Sequence, residues 1–373
     1  PTLGPWLGGW ITDNYSWRWI FYINVPVGII SLLFTYLLVS DPPFMKRVNL
    51  KEGFRVDYIG LGLVTLGLGS LQIILDKGQR EDWFGSAFIR TFFFLAVVGL
   101  VAGVIWELRT KDPIIDLRML KNRNFAIATT AMFFLGFVLY ASTVLIPQML
   151  QELLGYPAEL AGLALSPGGA LIMLCMPLVG FLVSRVDTRA LITFGCTISA
   201  SSLFVMAGWN LSLDFHTAVL GRMLQAFGLA FLFIPINVAA FAYIPREKTN
   251  MGTGIINLAR NIGASVGIAT VTTMLERRTQ WHQARLIDHV NAMNPALANT
   301  LNGTSAALQV HGSGAVQATA QAHGMLLNLI QRQAAMLAFL DNFKLLGVIF
   351  FAIIPIFFLM RRPKMSGGSV PVH

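Results

Sequence analysis

The sequence predicts an all-α integral membrane protein. Of its 373 residues, 55% are hydrophobic and only 12% are charged, whereas soluble domains carry about 25% charged residues. Apolar stretches of about 20 residues, the length that crosses a hydrocarbon core of about 30 Å as a helix, recur along the chain between short polar segments. A soluble protein of this size would need a polar surface that this composition does not supply.

Membrane spans are predicted along most of the chain. A partial apolar segment comes first, and nine complete spans follow it at 19–39, 58–75, 88–106, 125–146, 160–183, 190–208, 216–244, 252–275 and 342–360. Membrane helices tolerate proline, and transporters that move use it as a hinge. Prolines of this kind are Pro26, Pro147, Pro167, Pro177, Pro235 and Pro355.

The loops predict the orientation, because cytoplasmic loops carry an excess of Lys and Arg. Sixteen of the 27 basic residues fall on one side. They are Lys46, Arg47, Lys51, Arg55, Arg109, Lys111, Arg118, Lys121, Arg123, Arg185, Arg189, Arg246, Lys248, Arg361, Arg362 and Lys364. We therefore expect a cytoplasmic C-terminus and an external segment at 277–338. The net charge of +9 then reflects topology and does not indicate binding to nucleic acid.

The external segment between 276 and 341 is long. Residues 277–292 and 315–338 have helical periodicity, whereas 294–314 are rich in Asn, Ala, Ser and Gly and are predicted to form a loop. His282 and His289 are seven residues apart, but no further ligands occur at metal-binding spacing. No metal site is predicted.

The first 28 residues contain the most informative pattern, G-P-x-L-G-G at 4–9 followed by W-R-W-x-F-x-I-N-x-P-x-G at 17–28. Gly4 and Gly8 share one helical face, and small residues at that spacing allow two backbones to approach closely in lipid. Pro5 removes a helix hydrogen bond and bends the segment. Trp17 and Trp19 are typical of an aromatic belt at a membrane surface.

Together these segments resemble the antiporter motif on the fifth helix of major facilitator drug exporters, and the chain resembles their fourteen-span drug:proton antiporter branch. Segments at 71–76, 82–84 and 122–125 also match. The resemblance implies a major facilitator fold with helices six to fourteen complete. Since residue 1 already lies inside the motif, we expect helices one to four and part of helix five to be missing. The implied gate residues are Gly4, Pro5, Gly8, Gly9, Asn24 and Pro26.

The same resemblance divides the chain into four parts. Residues 1–40 would be the remnant of the N-terminal bundle, and 41–123 the extra central helix pair with its cytoplasmic loops. Residues 124–361 would form the C-terminal six-helix bundle, including a periplasmic segment at 276–341. Residues 362–373 would form a cytoplasmic tail.

Two later segments resemble degenerate copies of motifs from the first half of such proteins. The loop motif G-x-L-x-x-R-x-x-x-R is matched by Gly180, Arg185, Asp187 and Arg189. The motif R-x-x-Q-G-x-G of helix four is matched by Arg222 and Gln225, although Ala226 replaces its first glycine. The originals would lie in the missing part, so their proton role is not transferred to these copies.

Polar residues inside the spans are candidates for function, because an ionisable group at bilayer depth costs about 3 kcal/mol or more. Arg222 and Arg260 each lie about eight residues, or about 12 Å, from a helix end. Gln225 and Asn257 share a helical face with them, and Asn237 adds another polar group. These residues either line the transport path or its gate, or anchor and pack the helices.

Acidic residues show the opposite distribution. All 18 Asp and Glu lie in loops or at span ends, and no His lies deep. Proton coupling normally requires a buried carboxylate or His whose pKa can shift. We therefore expect the coupling acid in the missing helices, and no drug-dependent proton flux from this chain alone. The resemblance implies the proton gradient as energy source and no cofactor.

An aromatic stripe on the helix at 125–146 offers candidates for a substrate wall. These candidates are Phe133, Phe137, Tyr140 and Gln148. Broad recognition suits apolar walls that can repack. The alternative is that the aromatic side chains face lipid or pack between helices.

The resemblance implies a proton-coupled multidrug efflux antiporter of the bacterial inner membrane, embedded in the lipid bilayer and exporting lipophilic drug-like substrates. It also implies a tripartite pump with a periplasmic membrane-fusion adaptor and an outer-membrane channel. The alternatives are an exporter of a native metabolite or siderophore and, for this chain alone, a non-transporting membrane protein. The sequence contains no H-E-x-x-H and no G-x-x-x-x-G-K, and no enzyme is predicted.

Overall fold

The computed structural model describes residues 3–39, 57–110, 113–245, 248–288, 290, 295–312 and 314–361. Every regular element in these ranges is helical. The α-helices are α1 (Gly4–Asn14), α2 (Trp19–Tyr22), α3 (Asn24–Leu38), α4 (Tyr58–Lys77), α5 (Ala87–Arg109), α6 (Arg123–Glu152), α7 (Ala158–Val183), α8 (Thr188–Met206), α9 (Phe215–Phe241), α10 (Thr249–Asp288), α11 (Pro295–Val310) and α12 (Ala315–Phe358).

The predicted spans lie in helices, which confirms the all-α membrane class. Within the described ranges, eight helical segments are long and apolar enough to cross a membrane, the first being α2 and α3 taken together. α10 contains the predicted span at 252–275 but is not among the eight. Its hydropathy is lowered by Asn257, Arg260 and Asn261.

Prolines affect the helices unequally. The break between α2 and α3 falls at Ile23, next to the residue four positions before Pro26. A proline ring clashes with the carbonyl at that position, so Pro26 explains the break. Helices α6, α7, α9 and α12 instead continue through their internal prolines.

Acids at the span ends start the helices. Their carboxylates accept hydrogen bonds from backbone N–H groups of the first turn, which have no partner within the helix. The capping carboxylates are those of Asp57 for α4, Asp187 for α8 and Asp214 for α9, and the side-chain amide oxygen of Asn122 caps α6 in the same way. The hydrogen bonds from Thr217 lower the pKa of Asp214.

The loop predicted at 294–314 is wrong, because Pro295–Val310 forms helix α11. Proline begins this helix, where its missing N–H is not needed, and the alanines favour helix strongly. Ser305 is buried against α12, with its hydroxyl 3.3 Å from that of Thr319. α10 and α12 continue as helices from the predicted spans into the external segment.

A six-helix bundle of α6–α10 and α12 holds the main core. α6 packs against α7, α9, α10 and α12. It meets α10 backbone to backbone, because glycines alternate across the contact. A Cβ on Gly263 would collide with the carbonyl of Phe133, one on Gly267 with that of Phe137, and one on Gly136 with that of Arg260.

One sequence pattern on the glycine face of α10 resembles a catalytic motif but has a structural explanation. Residues 263–267 read G-A-S-V-G, the spacing of a hydrolase nucleophile elbow. That elbow is a strand-to-helix turn, whereas these residues lie inside α10. The Ser265 hydroxyl donates to Gln72 Oε1 of α4 at 2.6 Å and so joins α4 to the bundle.

One end of the bundle is fastened by side chains near the start of α6. Asn124 donates to the Arg361 carbonyl (2.9 Å) and accepts from the Arg361 N–H (2.7 Å). Lys248 Nζ lies 2.7 Å from buried Asp116, and this contact lowers the pKa of the Asp116 carboxyl. The segment at 122–125, which matches the family pattern, thus has three structural functions: Asn122 caps α6, Asn124 binds Arg361 after the end of α12, and the ring of Phe125 is buried.

Gly263→Ala is expected to destabilise the bundle, whereas Gly254→Ala is not. Both sites are on α10, and alanine favours helix over glycine by about 1 kcal/mol at each. A Cβ at 254 meets nothing within 4 Å, whereas at 263 it strikes the α6 backbone, and such overpacking costs about 1–3 kcal/mol. Thermal unfolding of the detergent-solubilised variants compares the two directly. Equal midpoints would refute the close contact.

Candidate functional site

Arg222 of α9 lies in the bundle interior, about 10 Å along the helix from Phe215 at 1.5 Å per residue. Only 6% of its surface is exposed. One terminal nitrogen donates to Gln225 Oε1 at 2.6 Å and to Ser142 Oγ at 3.2 Å, and the other donates to Thr143 Oγ1 at 3.2 Å. The guanidinium is thus surrounded by neutral acceptors.

The acceptors are held in place by their own helices. The Ser142 and Thr143 hydroxyls both donate to the Leu139 carbonyl, which turns their lone pairs toward Arg222. Gln225 also donates to Ser142 Oγ at 3.0 Å. The polar cluster, defined as Arg222, Gln225, Ser142 and Thr143, therefore has little freedom to rearrange.

Two serines of α8 fix the backbone of α9 behind this cluster. Ser199 donates to the Gln225 carbonyl at 3.2 Å, and Ser202 donates to the Gly221 carbonyl at 2.8 Å. On the other side, a Cβ at Gly168 of α7 would lie 3.1 Å from Ala226 Cβ and 3.4 Å from Arg222 Cγ. The small residues on α7 and α9 make room for the arginine stem.

The charge of Arg222 is not balanced inside the described part of the chain. None of the ion pairs found there involves Arg222, and its Nε has no hydrogen-bond partner. A buried cation without a counter-charge is costly. Because arginine does not deprotonate in proteins, Arg222 can attract an anionic group or tune a nearby acid, but it cannot carry a proton.

Arg260 is not part of the polar cluster. It is half-buried on α10, and its carbonyl packs on Gly136 of α6. Gly136 and Ser142 are about 9 Å apart along α6 at 1.5 Å per residue. Asn257, one turn before Arg260, is also half-buried, while Asn237 donates to the Phe233 carbonyl at 2.8 Å within α9. The predicted polar residues therefore form separate sites.

The four predicted substrate-wall residues also lie in different surroundings. Phe137 is 6% exposed and belongs to the core, which favours the alternative that it packs between helices. Phe133 is half-buried with its ring 6.5 Å from that of Phe137. Tyr140 is 40% exposed, and Gln148 binds the Glu152 carboxylate at 3.1 Å. A substrate role for Phe133, Tyr140 and Gln148 stays a prediction.

The N-terminal motif places α1 against α7. A Cβ on Gly9 would strike the Ala158 carbonyl, and one on Gly162 would strike the Pro5 carbonyl. Asp13 accepts a hydrogen bond of 2.7 Å from the Glu159 N–H and so caps α7 from a different helix. Pro5, Gly9 and Asp13 are spaced by four and share one face.

In the described structure the face of α1 that packs closely carries Pro5 and Gly9, whereas the sequence analysis expected a close contact on the Gly4/Gly8 face. A Cβ on Gly4 or on Gly8 meets nothing within 4 Å in the described structure. The glycine pair and the Pro5/Gly9 pair have the same spacing, but only the second pair meets α7. Asn24 donates to the Ile20 carbonyl at 2.9 Å across the break between α2 and α3.

Comparison with known proteins identifies the family. The family model described as Major Facilitator Superfamily matches residues 1–268.

The chain belongs to the major facilitator superfamily.

Curated relatives in this superfamily align with nearly the whole chain. It is 33% identical to the multidrug export protein EmrB of Escherichia coli (strain K12) over 370 residues, which cover 99% of this chain and 70% of EmrB. It is 34% identical to the fatty acid resistance protein FarB of Neisseria gonorrhoeae, again over 99% of this chain and 70% of FarB. The colistin resistance protein EmrB of Acinetobacter baumannii is 28% identical over 98% of this chain and 70% of that protein.

In this major facilitator protein, the loop motif between α7 and α8 caps α8 and contacts the end of α7. Asp187 Oδ1 accepts from the Arg189 N–H at 3.0 Å, and the Arg185 guanidinium stacks 4.1 Å from the centroid of the Phe181 ring. A Cβ on Gly180 would meet nothing within 4 Å.

Sequence reasoning missed the hydroxyls that hold Arg222 and the acid that caps α7. Ser142 and Thr143 precede Arg222 by about 80 positions. Two adjacent hydroxyl side chains inside an apolar span could have indicated this contact, because such groups form hydrogen bonds between membrane helices. The contact of Asp13 with α7 was missed because an acid at the end of a predicted span is expected to face water.

Gly9→Ala should separate α1 from α7, whereas Gly8→Ala should not. We expect disulfide formation between cysteines at 13 and 159, with Cys175 and Cys196 replaced, to slow about fivefold or more in the Gly9 variant, since a cost of about 1 kcal/mol shifts an equilibrium by that factor. Slowing in the Gly8 variant instead would contradict this assignment of the face of α1 that contacts α7.

Proposed function

We propose that this chain is a multidrug efflux transporter of the bacterial inner membrane that exchanges lipophilic drugs for protons. The observation that carries the proposal is the 33% identity to a multidrug export protein over 99% of the chain. The eight apolar helical segments and the family membership are consistent with a transporter. The sequence has no G-x-x-x-x-G-K segment, so an ion gradient is the energy source in this proposal.

In the proposed mechanism, Arg222 supplies a fixed positive charge in the transport path. The polar cluster holds the guanidinium through neutral groups and leaves its charge available to an anion. A carboxylate that approaches it would have its pKa lowered and release a proton more readily. Substrate and proton are thus coupled through a group that itself never titrates.

A periplasmic adaptor and an outer-membrane channel are the proposed partners. The extensions of α10 and α12 and the packed helix α11 supply a helical surface for the adaptor. Exposed apolar side chains occur on it, including Val310, Val316 and Leu329. Helical packing between such surfaces would fix the adaptor relative to the membrane spans.

A second candidate function is the export of a single class of amphiphile. The identity to FarB, 34% over 99% of the chain, is as high as that to EmrB. A panel that compares fatty acids with structurally diverse drugs separates the two candidates. A broad profile supports multidrug export, and resistance confined to fatty acids supports the alternative.

The efflux test uses Arg222→Gln in the protein expressed from its complete reading frame in an efflux-deficient bacterium. Charged hydrogen bonds contribute about 1.5–3 kcal/mol, so we expect drug-dependent proton flux in inverted vesicles to fall about tenfold or more. Arg90→Gln, the same change at an exposed site on α5, serves as control. If Arg222 only packs, its neutralisation should leave flux unchanged and raise the thermal midpoint, since an uncompensated buried charge is removed.

Orientation is tested with single cysteines and an impermeant thiol reagent in intact cells, with buried Cys175 and Cys196 replaced. Asn302→Cys, exposed on α11, should react, because we propose that this segment is periplasmic. Ser184→Cys, exposed between α7 and α8, should react only after the membrane is permeabilised. Reaction of both, or of Ser184→Cys alone, would contradict the orientation derived from the basic loops.

A further inference from the structure

A cavity of about 710 Å³ lies between the end of α4 and the part of α10 where its extension begins. We call it the α4–α10 cleft. It is separate from the polar cluster, which lies on α9 and α6. Its volume is within the range of about 300–1,000 Å³ that is typical of small-molecule sites.

One half of the α4–α10 cleft is apolar. Leu75 of α4 faces Ala269 and Met274 of α10, and Trp83 also lines the cavity, whereas Trp281 lies at the basic end with its ring centroid 5.3 Å from the Arg278 guanidinium. Tryptophan is enriched where apolar and aqueous environments meet at a membrane. These surfaces suit an alkyl chain.

The other half is basic. Arg277 and Arg278 line the cleft at adjacent positions on α10. Arg278 Nε is 3.8 Å from Asp341, but the same carboxylate lies 2.9 Å from His282 Nε2 and 3.9 Å from Lys344 Nζ. Asp341 is therefore shared by three basic groups, and none of the ion pairs found in the described ranges involves Arg277.

A buried hydroxyl in the same cleft has no partner. Thr273 lines the cavity, and its Oγ1 is buried without a hydrogen bond. Most buried polar groups are hydrogen-bonded, so an exception requires an explanation. The Thr273 side chain would have to rotate to present this hydroxyl to a molecule in the cleft.

We propose that the α4–α10 cleft binds a single-chain amphiphile with an acidic head group. The alkyl chain lies between Leu75 and Met274, and the head group accepts hydrogen bonds from Arg277 and Arg278. Guanidinium groups bind carboxylates in a two-pronged geometry, whereas a cationic amphiphile would be repelled. The proposal concerns binding and holds whether or not the chain exports drugs.

The test uses the two tryptophans as reporters. 11-Bromoundecanoic acid is added to the protein in phosphatidylcholine nanodiscs, and bromine quenches the fluorescence of tryptophans that it contacts. We expect a saturable component of the quenching that is lost in Trp83→Phe and kept in Trp281→Phe, because the bromine is at the apolar end of the ligand. 11-Bromo-1-undecanol, which has the same chain without the acid, should produce only the non-saturable component that arises from partitioning into lipid.

Head-group recognition is tested by replacing Arg277 and Arg278 together with glutamine. The apparent affinity for the bromo acid should fall about tenfold or more, and the double lysine variant, which keeps the charge, should recover most of it. Arg90→Gln controls for the loss of one charge outside the cleft.

Equal affinity for the acid and the alcohol, or an unchanged affinity in a folded double glutamine variant, would overturn the proposal. It is also overturned if brominated phosphatidylglycerol in the nanodisc produces the same tryptophan-specific quenching and excludes the acid, since the cleft would then be a site for a two-chain membrane lipid.

Discussion

The close approach of α6 and α10 is the constraint on which the rest of the bundle depends. Because glycines meet backbone carbonyls at three levels of this contact, neither helix can move sideways without creating a gap or a collision. α6 also packs against α7, α9 and α12, so its position sets theirs. Ser142 and Thr143 consequently reach Arg222, and the ring of Phe137 is enclosed in the core.

Many of the charges in the described ranges follow a simple physical rule, from which Arg222 departs. Carboxylates such as Asp57 and Asp214 sit where helices begin and satisfy unpaired N–H groups, at little cost because water is near. Asp13 extends the rule to a neighbouring helix. Arg222 breaks it, since its charge is buried among neutral groups. A cost of this kind is typical of functional residues in membranes.

Much of the fold could be predicted from the sequence, because spans and caps depend on local composition. The contacts could not. Gly4/Gly8 and Pro5/Gly9 have identical spacing, and only the position of the Ala158 carbonyl selects between them. At the candidate site, the sequence predicted Arg222 and Gln225 but not Ser142, because that pairing depends on how α6 and α9 are rotated. Helix α11 was missed because its small residues stabilise it mainly by packing against α12, a contact that the sequence does not show.

The two hydrogen bonds between the Asn124 side chain and the Arg361 backbone bring the beginning and the end of the six-helix unit together. A unit whose ends are neighbours can be cut out, inserted or joined in a new order without rearranging its interior. The length of the chain before and after the six-helix unit can then change without altering the packing inside the unit. A helix pair such as α4 and α5 could have been added before such a unit during evolution, because it meets the bundle mainly through contacts such as that between Gln72 and Ser265.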